Sequence, residues 1–252
     1  MTGLHAERLG HGPRIVLVHG FTQTGRSWGA LAEDLAGDHE VVLVDAPGHG
    51  GSAEVAADLI TGALLLGAAG GPGIYVGYSM GGRLALHLAL ARPDLVRALV
   101  LIGATPGIEE PATRAERRAA DEALAVTLER DGLDAFLARW LAQPLFASLP
   151  DEAAALEDRR RNTAAGLASS LRSAGTGSQE PLWDRLGELP MPVLVLTGEH
   201  DDRFAAIGRR MAADIGAHAT WAAVPDAGHA AHLEQPGATL TTLRTWLNAV
   251  GG

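Results

Sequence analysis

The sequence predicts an α/β fold with a doubly wound, mostly parallel sheet, because short apolar runs alternate with helical patterns. Unbroken runs of Val, Leu and Ile bounded by glycine are typical of strands that are buried on both faces. The predicted strands lie at 14–20, 40–50, 73–79, 98–107, 191–201 and 220–229. The predicted helices between them lie at 26–36, 53–69, 81–92 and 203–214. This alternation favours right-handed crossover connections.

Residues 108–187 break the alternation, since they contain no convincing strand and are rich in Ala, Arg, Glu and Leu at helical spacing. Strands of the sheet flank this segment on both sides. We therefore predict a helical cap inserted into one domain whose core is formed by residues 1–107 and 188–252, rather than an independent domain.

Composition narrows the chemistry that the chain can perform. A length of 252 residues with 47% apolar residues suits one domain with a full core. The chain has no cysteine, and its 20 basic residues are all arginine, so disulfides, cysteine nucleophiles and lysine Schiff bases are excluded. The net charge of −10 disfavours nucleic acid as a partner. A site for an anion would need a local cluster of arginines.

The N-terminal sequence MTGLHAERLG lacks the basic-then-apolar order of a signal peptide. No apolar stretch approaches the length that spans a bilayer. We therefore expect a cytoplasmic protein without membrane insertion. No motif for a metal or a cofactor is found.

The stretch GYSMG at 77–81 matches the G-x-S-x-G pattern at a predicted strand-to-helix junction. Glycines at 77, 81 and 82 allow a sharp turn in which strand and helix pass close together. The pattern predicts that Ser79 is a reactive serine.

A reactive serine needs an imidazole that takes its proton and a carboxylate that orients the imidazole. Asp201 and His229 follow two later predicted strands, at the sheet edge where such sites form. Asp202 and His232 are the competing candidates. Asp201 is preferred because it stands directly at the strand exit, and His229 because His232 falls in the following helix.

The stretch VHGFTQTGRSW at 18–28 predicts a backbone turn that points the amide of Phe21 at the serine. Together with the amide of Met80 it would form an oxyanion hole. His19 is interpreted as a structural hydrogen-bonding residue, and Asp45 and His49 are interpreted as residues that shape their loop.

Five motifs in this order, HGF, DAPGHGGS, GYSMGG, GEHD and AGH, resemble the α/β-hydrolase superfamily over essentially the whole chain. Because only residues 1–13 precede the first predicted strand, the sheet is expected to lack one or two initial strands of that family. Further stretches resemble the 2-succinyl-6-hydroxy-2,4-cyclohexadiene-1-carboxylate synthases of menaquinone biosynthesis. They are VHGFTQTGRSW, GYSMGGRLAL, RAERRAADEALA, RWLAQPLFASL, GTGSQEPLWDRL and GEHDDRF.

This narrower resemblance implies a lyase that uses no cofactor. It would eliminate pyruvate from 2-succinyl-5-enolpyruvyl-6-hydroxy-3-cyclohexene-1-carboxylate, a small tricarboxylate. The resemblance implies substrate-binding roles for Arg83, Arg117 and Arg161, although a small shift of register would substitute Arg159 or Arg160 for Arg161. It also places Tyr78, Trp140 and Phe146 in the pocket. Arginine forks suit carboxylates because they bind them bidentately and remain charged.

In the mechanism that we predict, Ser79 abstracts a carbon-bound proton with the help of His229 and Asp201. The main alternative is a serine hydrolase that acts on carboxylic esters or carbon–carbon bonds with the same three residues. A second alternative is a non-catalytic binding protein of the same fold, which would not need to retain all three.

Overall fold

In the computed structural model, which describes residues 3–250, the strands form one seven-stranded sheet in the order β1-β3-β2-β4-β5-β6-β7. The strands are β1 Ala6–Leu9, β2 Arg14–Val18, β3 Glu40–Val44, β4 Gly73–Tyr78, β5 Val96–Ile102, β6 Val193–Gly198 and β7 Ala219–Val224. Only β1 pairs antiparallel, with β3, and every other pairing is parallel. The predicted fold class is confirmed.

Strand β1 is one element that sequence reasoning did not predict. Its four residues, AERL, are half-buried or exposed and lie at the edge of the sheet, so they lack the apolar run that marks the central strands. One strand therefore precedes Arg14–Val18, although residues 1–13 lack the apolar pattern that would predict it.

Helices connect the strands on both faces of the sheet. The α-helices are α1 Gly29–Leu35, α2 Leu59–Gly70, α3 Met80–Ala91, α4 Pro111–Asp131, α5 Leu133–Leu141, α6 Leu156–Arg159, α7 Ala164–Ala174, α8 Asp202–Ile215, α9 Ala231–Glu234 and α10 Pro236–Val250. Short 3-10 helices are Gly25–Trp28, Gly50–Ser52, Pro93–Leu95, Pro144–Phe146, Asp151–Ala154, Thr176–Ser178 and Trp183–Glu188. Within residues 3–250, no helix is both long enough and apolar enough to cross a membrane.

The apolar runs are continuous because each central strand packs helices on both faces. In β2, Val16 and Val18 belong to one core cluster, whereas Ile15 and Leu17 belong to the cluster on the opposite face. All four side chains are fully buried. Burial of each such side chain contributes about 1.5–3 kcal/mol to folding, which fixes the register of the strand.

Between β5 and β6 the chain forms α4 to α7 and contains no strand in the range 108–187. These helices share a small apolar cluster that includes Leu128, Phe136 and Leu167, and Phe21 from the loop after β2 packs against it. Ion pairs from Arg172 on α7 to Glu122 and Glu129 join α7 to α4. The helical segment therefore lies over the carboxyl edge of the sheet, beside the loops that carry the predicted site.

Candidate active site

Ser79 occupies a sharp turn between β4 and α3, with φ of 50° and ψ of −107°. A Cβ on Gly81 would overlap the backbone oxygens of Val18 and His19, so this position requires glycine. The amide of Ser79 donates to the carbonyl of Ile102 at 2.8 Å, which holds the turn against β5. A non-glycine residue in this conformation costs on the order of 1–3 kcal/mol, and such strain is concentrated at functional sites.

His229 joins Ser79 to Asp201. Its Nδ1 lies 2.8 Å from Asp201 Oδ2, and its Nε2 lies 3.4 Å from Ser79 Oγ. The first contact makes Nδ1 the donor and leaves Nε2 as the acceptor that faces the serine. The second contact is slightly longer than the usual range of about 2.6–3.2 Å for such a pair.

The loop after β6 fixes the carboxylate. Asp201 Oδ1 accepts from the amide of Phe204 at 3.2 Å and caps α8, while its other oxygen faces His229. Asp201 is only 8% exposed, whereas Asp202 lies on the exposed side of the first turn. The structure thus brings Ser79, Asp201 and His229 together and leaves Asp202 outside.

His232, the competing imidazole, is buried between aromatic rings rather than beside the serine. Its ring lies 4.4 Å from the ring of Tyr78 and 4.6 Å from that of Trp28. Burial, together with the nearby His229 and Arg159, lowers the pKa of His232 to about 3. His232 is therefore a neutral packing residue at ordinary pH.

The loop after β2 is shaped by two buried histidines. His19 Nδ1 donates to the carbonyl of Gly20 at 2.8 Å, and its Nε2 accepts from the amide of Ala46 at 3.0 Å. His49 Nε2 accepts from the amide of Thr22 at 3.3 Å, and burial lowers the pKa of His49 to about 3. Both rings form hydrogen bonds with the backbone of these loops, which agrees with the structural roles expected for them.

Asp45 also shapes this region, because its carboxylate accepts from the amides of Gly25 and Gly51, each at 2.7 Å. The amide of Phe21 donates no hydrogen bond to another residue within 3–250. The amide of Met80 belongs to the first turn of α3, where amides have no partner within the helix. Both amides therefore remain candidates for an oxyanion hole.

A cavity opens above Ser79 and His229, between the sheet edge and the helical segment 108–187. Four arginines line it, and Asp121 is the one acidic residue among its lining side chains. The arginines are Arg83, Arg117, Arg159 and Arg203. This excess of positive charge stands out in a chain whose net charge is −10.

Arg83 lies one helical turn beyond the serine and is 6% exposed. Its Nη1 donates to the carbonyl of Ala174 at 2.8 Å and lies 3.5 Å from Gln179 Oε1, and both of these acceptors are neutral. Burial and the neighbouring Arg117 lower the pKa of Arg83 to about 10, so it remains charged near pH 7. A buried cation without a carboxylate partner is suited to an anionic ligand.

Arg117 enters the same end of the cavity from α4. Its Nε contacts Asp121 Oδ1 at 2.7 Å, one turn away on the same helix. The other oxygen of Asp121 accepts from the amide of Gly177 at 3.1 Å. Asp121 therefore orients Arg117, whose side chain stays partly exposed toward the cavity.

The structure places Arg161, for which the resemblance implied substrate binding, outside the cavity. Its side chain is 43% exposed and faces a separate shallow depression near His5 and Arg26, outside the cavity. Arg159 lines the cavity instead and is 1% exposed. The reason is local, since α6 ends at Arg159 and successive residues point in different directions there.

Arg159 is anchored without a direct carboxylate contact in the described structure. Its Nε donates to the carbonyl of Ala154 at 2.7 Å, and its Nη1 donates to the hydroxyl of Thr22. Burial lowers the pKa of Arg159, and the nearby Tyr78 and Asp158 oppose this effect. Arg160 forms surface ion pairs with Asp134 and Glu157.

Aromatic side chains form much of the remaining wall. Tyr78, Trp140 and Phe146 all line the cavity, as the sequence resemblance implied. The ring of Trp140 packs 5.0 Å from that of Phe21 and 5.8 Å from that of Phe146. The buried Nε1 of Trp140 has no hydrogen-bond partner among the residues described, so it can donate to a ligand.

Arg203 is a cavity arginine that sequence reasoning did not single out. It lies in the first turn of α8, directly after the Asp201–Asp202 pair, and its guanidinium carbon is 5.8 Å from the ring centre of Phe204. Its place two residues beyond Asp201 was the available signal.

Comparison with known proteins agrees with this geometry. Residues 15–242 match the model of the alpha/beta hydrolase family. The 2-succinyl-6-hydroxy-2,4-cyclohexadiene-1-carboxylate synthase of Escherichia coli O1:K1 is 36% identical over 95% of this chain and 97% of its own length. The chain belongs to this family of synthases within the alpha/beta hydrolases.

Other synthases of the family show similar agreement. The 2-succinyl-6-hydroxy-2,4-cyclohexadiene-1-carboxylate synthase of Klebsiella pneumoniae is 34% identical over 92% of each chain. The solved structure of MenH from S. aureus superimposes with a TM-score of 0.90 at 29% identity and covers 100% of both chains. The likeness to the synthases therefore includes the helical segment 108–187 as well as the sheet.

Proposed function

We propose that this chain is a cofactor-independent lyase. It eliminates pyruvate from 2-succinyl-5-enolpyruvyl-6-hydroxy-3-cyclohexene-1-carboxylate and yields 2-succinyl-6-hydroxy-2,4-cyclohexadiene-1-carboxylate. The observation that carries the proposal is the cavity itself, in which a Ser79–His229–Asp201 arrangement lies beneath four arginines and one acidic residue. Membership of the synthase family agrees with it. The cytoplasmic location expected from the sequence is part of the same proposal.

In the proposed reaction His229, oriented by Asp201, takes the hydroxyl proton of Ser79. The Ser79 oxygen then takes the proton from the ring carbon next to the succinyl ketone, and the electron pair forms an enolate. As the enolate collapses, its electron pair forms a double bond to the neighbouring ring carbon, and the existing ring double bond shifts by one position. The carbon–oxygen bond to the enolpyruvyl group then breaks, and its electron pair leaves on the oxygen. The proton on His229 passes to the leaving group, which becomes pyruvate.

Negative charge develops on the ketone oxygen during the first step. The amides of Phe21 and Met80 are the proposed donors to this oxygen. Preorganised donors in a site that excludes water stabilise such charge because they need no reorganisation during the reaction.

The arginines provide binding and orientation. Arg83 and Arg117, which lie close together, would bind one carboxylate, and Arg159 would bind a second. Arg203 is available to the third. Each charged hydrogen bond of this kind contributes roughly 1.5–3 kcal/mol. Contacts to all three carboxylates would therefore hold the reacting carbon above Ser79.

We further propose that residues 108–187 act as a cap over a core formed by 1–107 and 188–252. The segment supplies Arg117, Trp140, Phe146 and Arg159 to the cavity wall. A cap built in this way would exclude water from the enolate.

The direct test is incubation of the purified protein with the cyclohexene tricarboxylate, followed by measurement of pyruvate. Wild type should release pyruvate, and Ser79→Ala should reduce the rate about 1,000-fold or more. Acid release from simple esters without pyruvate release would instead indicate the serine hydrolase. Failure of a fluorophosphonate probe to label Ser79 would indicate a binding protein.

A further inference from the structure

Two backbone amides on either side of His229 converge on the carboxylate of Glu234. The amide of Gly228 donates to Glu234 Oε2 at 2.7 Å, and the amide of Ala230 donates to Oε1 at 2.9 Å. Both hydrogen bonds are buried, and Glu234 is 9% exposed. One carboxylate therefore bridges the residues that precede and follow the proposed base.

The side chain of His229 and its backbone are held by different groups. Asp201 fixes the ring through Nδ1, and the ring of Phe204 packs 4.4 Å from it. These contacts set the orientation of the ring, but they do not set the position of the loop from which it extends. Glu234 contacts that loop directly.

Glu234 lies at the end of α9, the single helical turn that follows the His229 loop. From there its side chain can reach back to the backbone of that loop. Its own amide donates to the carbonyl of Ala230 at 3.0 Å, so the same two residues are joined in both directions. This reciprocal arrangement resembles a capping box and resists rotation of the loop.

Two acceptor oxygens are needed at this position. An ionised carboxylate offers both of its oxygens to N–H donors, whereas a glutamine amide offers one oxygen and places an NH2 group against the second donor. A buried amide without a partner is unfavourable, so the loop would shift to satisfy it.

We propose that Glu234 is a positioning residue that sets the distance between His229 Nε2 and Ser79 Oγ. In the present structure that distance is 3.4 Å, already slightly beyond the usual hydrogen-bonding range. A further displacement of the loop would uncouple the base from the serine. The inference rests on the proposed roles of Ser79, Asp201 and His229.

The test uses Glu234→Gln and Glu234→Ala, with Asp58→Ala as the matched control. Asp58 caps α2 by accepting from the amide of Thr61 at 2.7 Å, and it does not line the cavity. Two rates are measured well below the Tm of each variant, namely pyruvate release and the labelling of Ser79 by a fluorophosphonate.

We expect kcat to fall about tenfold in Glu234→Gln, which loses one hydrogen bond. We expect a fall of about 100-fold in Glu234→Ala, a size typical of a displaced catalytic group. KM should stay within about twofold, because Glu234 does not line the cavity. Labelling should slow in parallel with kcat, while Asp58→Ala should lower Tm only.

Unchanged kcat and unchanged labelling in folded Glu234 variants with a lowered Tm would overturn the proposal, since the residue would then be purely structural. If Glu234→Ala does not fold, kcat and Ser79 labelling in Glu234→Gln distinguish the positioning role from a purely structural one. The rate of Ser79 labelling tests the positioning role of Glu234 independently of the proposed lyase reaction. Slower labelling in variants of a protein that releases no pyruvate would retain Glu234 as a positioning residue and reject the lyase.

Discussion

The guanidinium of Arg83 makes its shortest hydrogen bond, 2.8 Å, to the backbone carbonyl of Ala174 and not to a carboxylate. Its second acceptor is the side-chain oxygen of Gln179. The one acidic residue among those lining the cavity, Asp121, is already bound by Arg117 and by the amide of Gly177. The positive charge of Arg83 is thus retained for a ligand, although its burial is unfavourable for folding.

Arg83→Ala should therefore reduce kcat/KM for pyruvate release about 100-fold, the size expected for one charge-assisted contact to a carboxylate. Hydrolysis of a small neutral ester, measured on the same sample, should change little, because it needs no anion site. Arg92→Ala is the matched control, since Arg92 ends the same helix at the surface and pairs with Asp94. Equal loss of both activities in Arg83→Ala would contradict the role in anion binding.

Arg159 and Arg161 offer a second comparison, because they are two residues apart and only Arg159 lines the cavity. Arg159→Ala should raise KM for the tricarboxylate and lower kcat/KM about 100-fold. Arg161→Ala should stay within about twofold of wild type, because exposed arginines contribute little. Steady-state kinetics of pyruvate release provides the measurement, with circular dichroism to confirm that Arg159→Ala folds. A large effect at Arg161 alone would restore the original assignment.

The contrast between these arginines shows where sequence reasoning reached its limit. The apolar runs around Val16 and Val195 predict buried strands because both faces of the sheet are covered. Ser79, Asp201 and His229 could be placed because each follows such a strand. Arg159 and Arg161 lie in a segment without strands, where a helix of four residues starts from a left-handed Ala155. No periodicity fixes the side-chain direction there.

Glu234 and Gln179 were missed for a related reason. Their partners are backbone amides and a distant guanidinium, which leave no pattern in the local sequence. Strand β1 was missed because its four residues lie at the edge of the sheet and lack the apolar run of the central strands. Local patterns predict the scaffold of this protein, whereas contacts between segments determine which polar residues face the cavity.

Substitutions at Asp201 and Asp202 test which of the two carboxylates orients His229. Asp201→Asn retains Oδ1 as an acceptor for the Phe204 amide, so the cap of α8 and the stability should persist. The amide in place of Oδ2 would favour the wrong tautomer of His229, and kcat should fall by roughly 1,000- to 10,000-fold. Asp202→Asn is the control at the adjacent exposed position, and its kcat should be unchanged. Similar losses in both variants would reject the assignment.

The buried histidines make stability depend on pH. Burial holds the pKa of His49 and of His232 at about 3, below the ordinary histidine value of 6.5. Between these values the unfolded chain binds a proton at each site and the folded chain does not. The free energy of unfolding should therefore be highest above pH 6.5 and fall as the pH is lowered toward 3. Each histidine contributes up to ~1.4 kcal/mol per pH unit to this slope.

Urea unfolding at several pH values between 7 and 4 measures the slope, and His232→Phe removes one contribution to it. Phenylalanine keeps an aromatic ring between Trp28 and Tyr78, so the packing at pH 7 should be largely preserved. The variant should lose stability less steeply on acidification, by ~1.4 kcal/mol per pH unit at most. His11→Gln, at an exposed position, controls for the loss of a histidine. A slope in His232→Phe equal to that of wild type would show that His232 does not remain neutral in the folded protein.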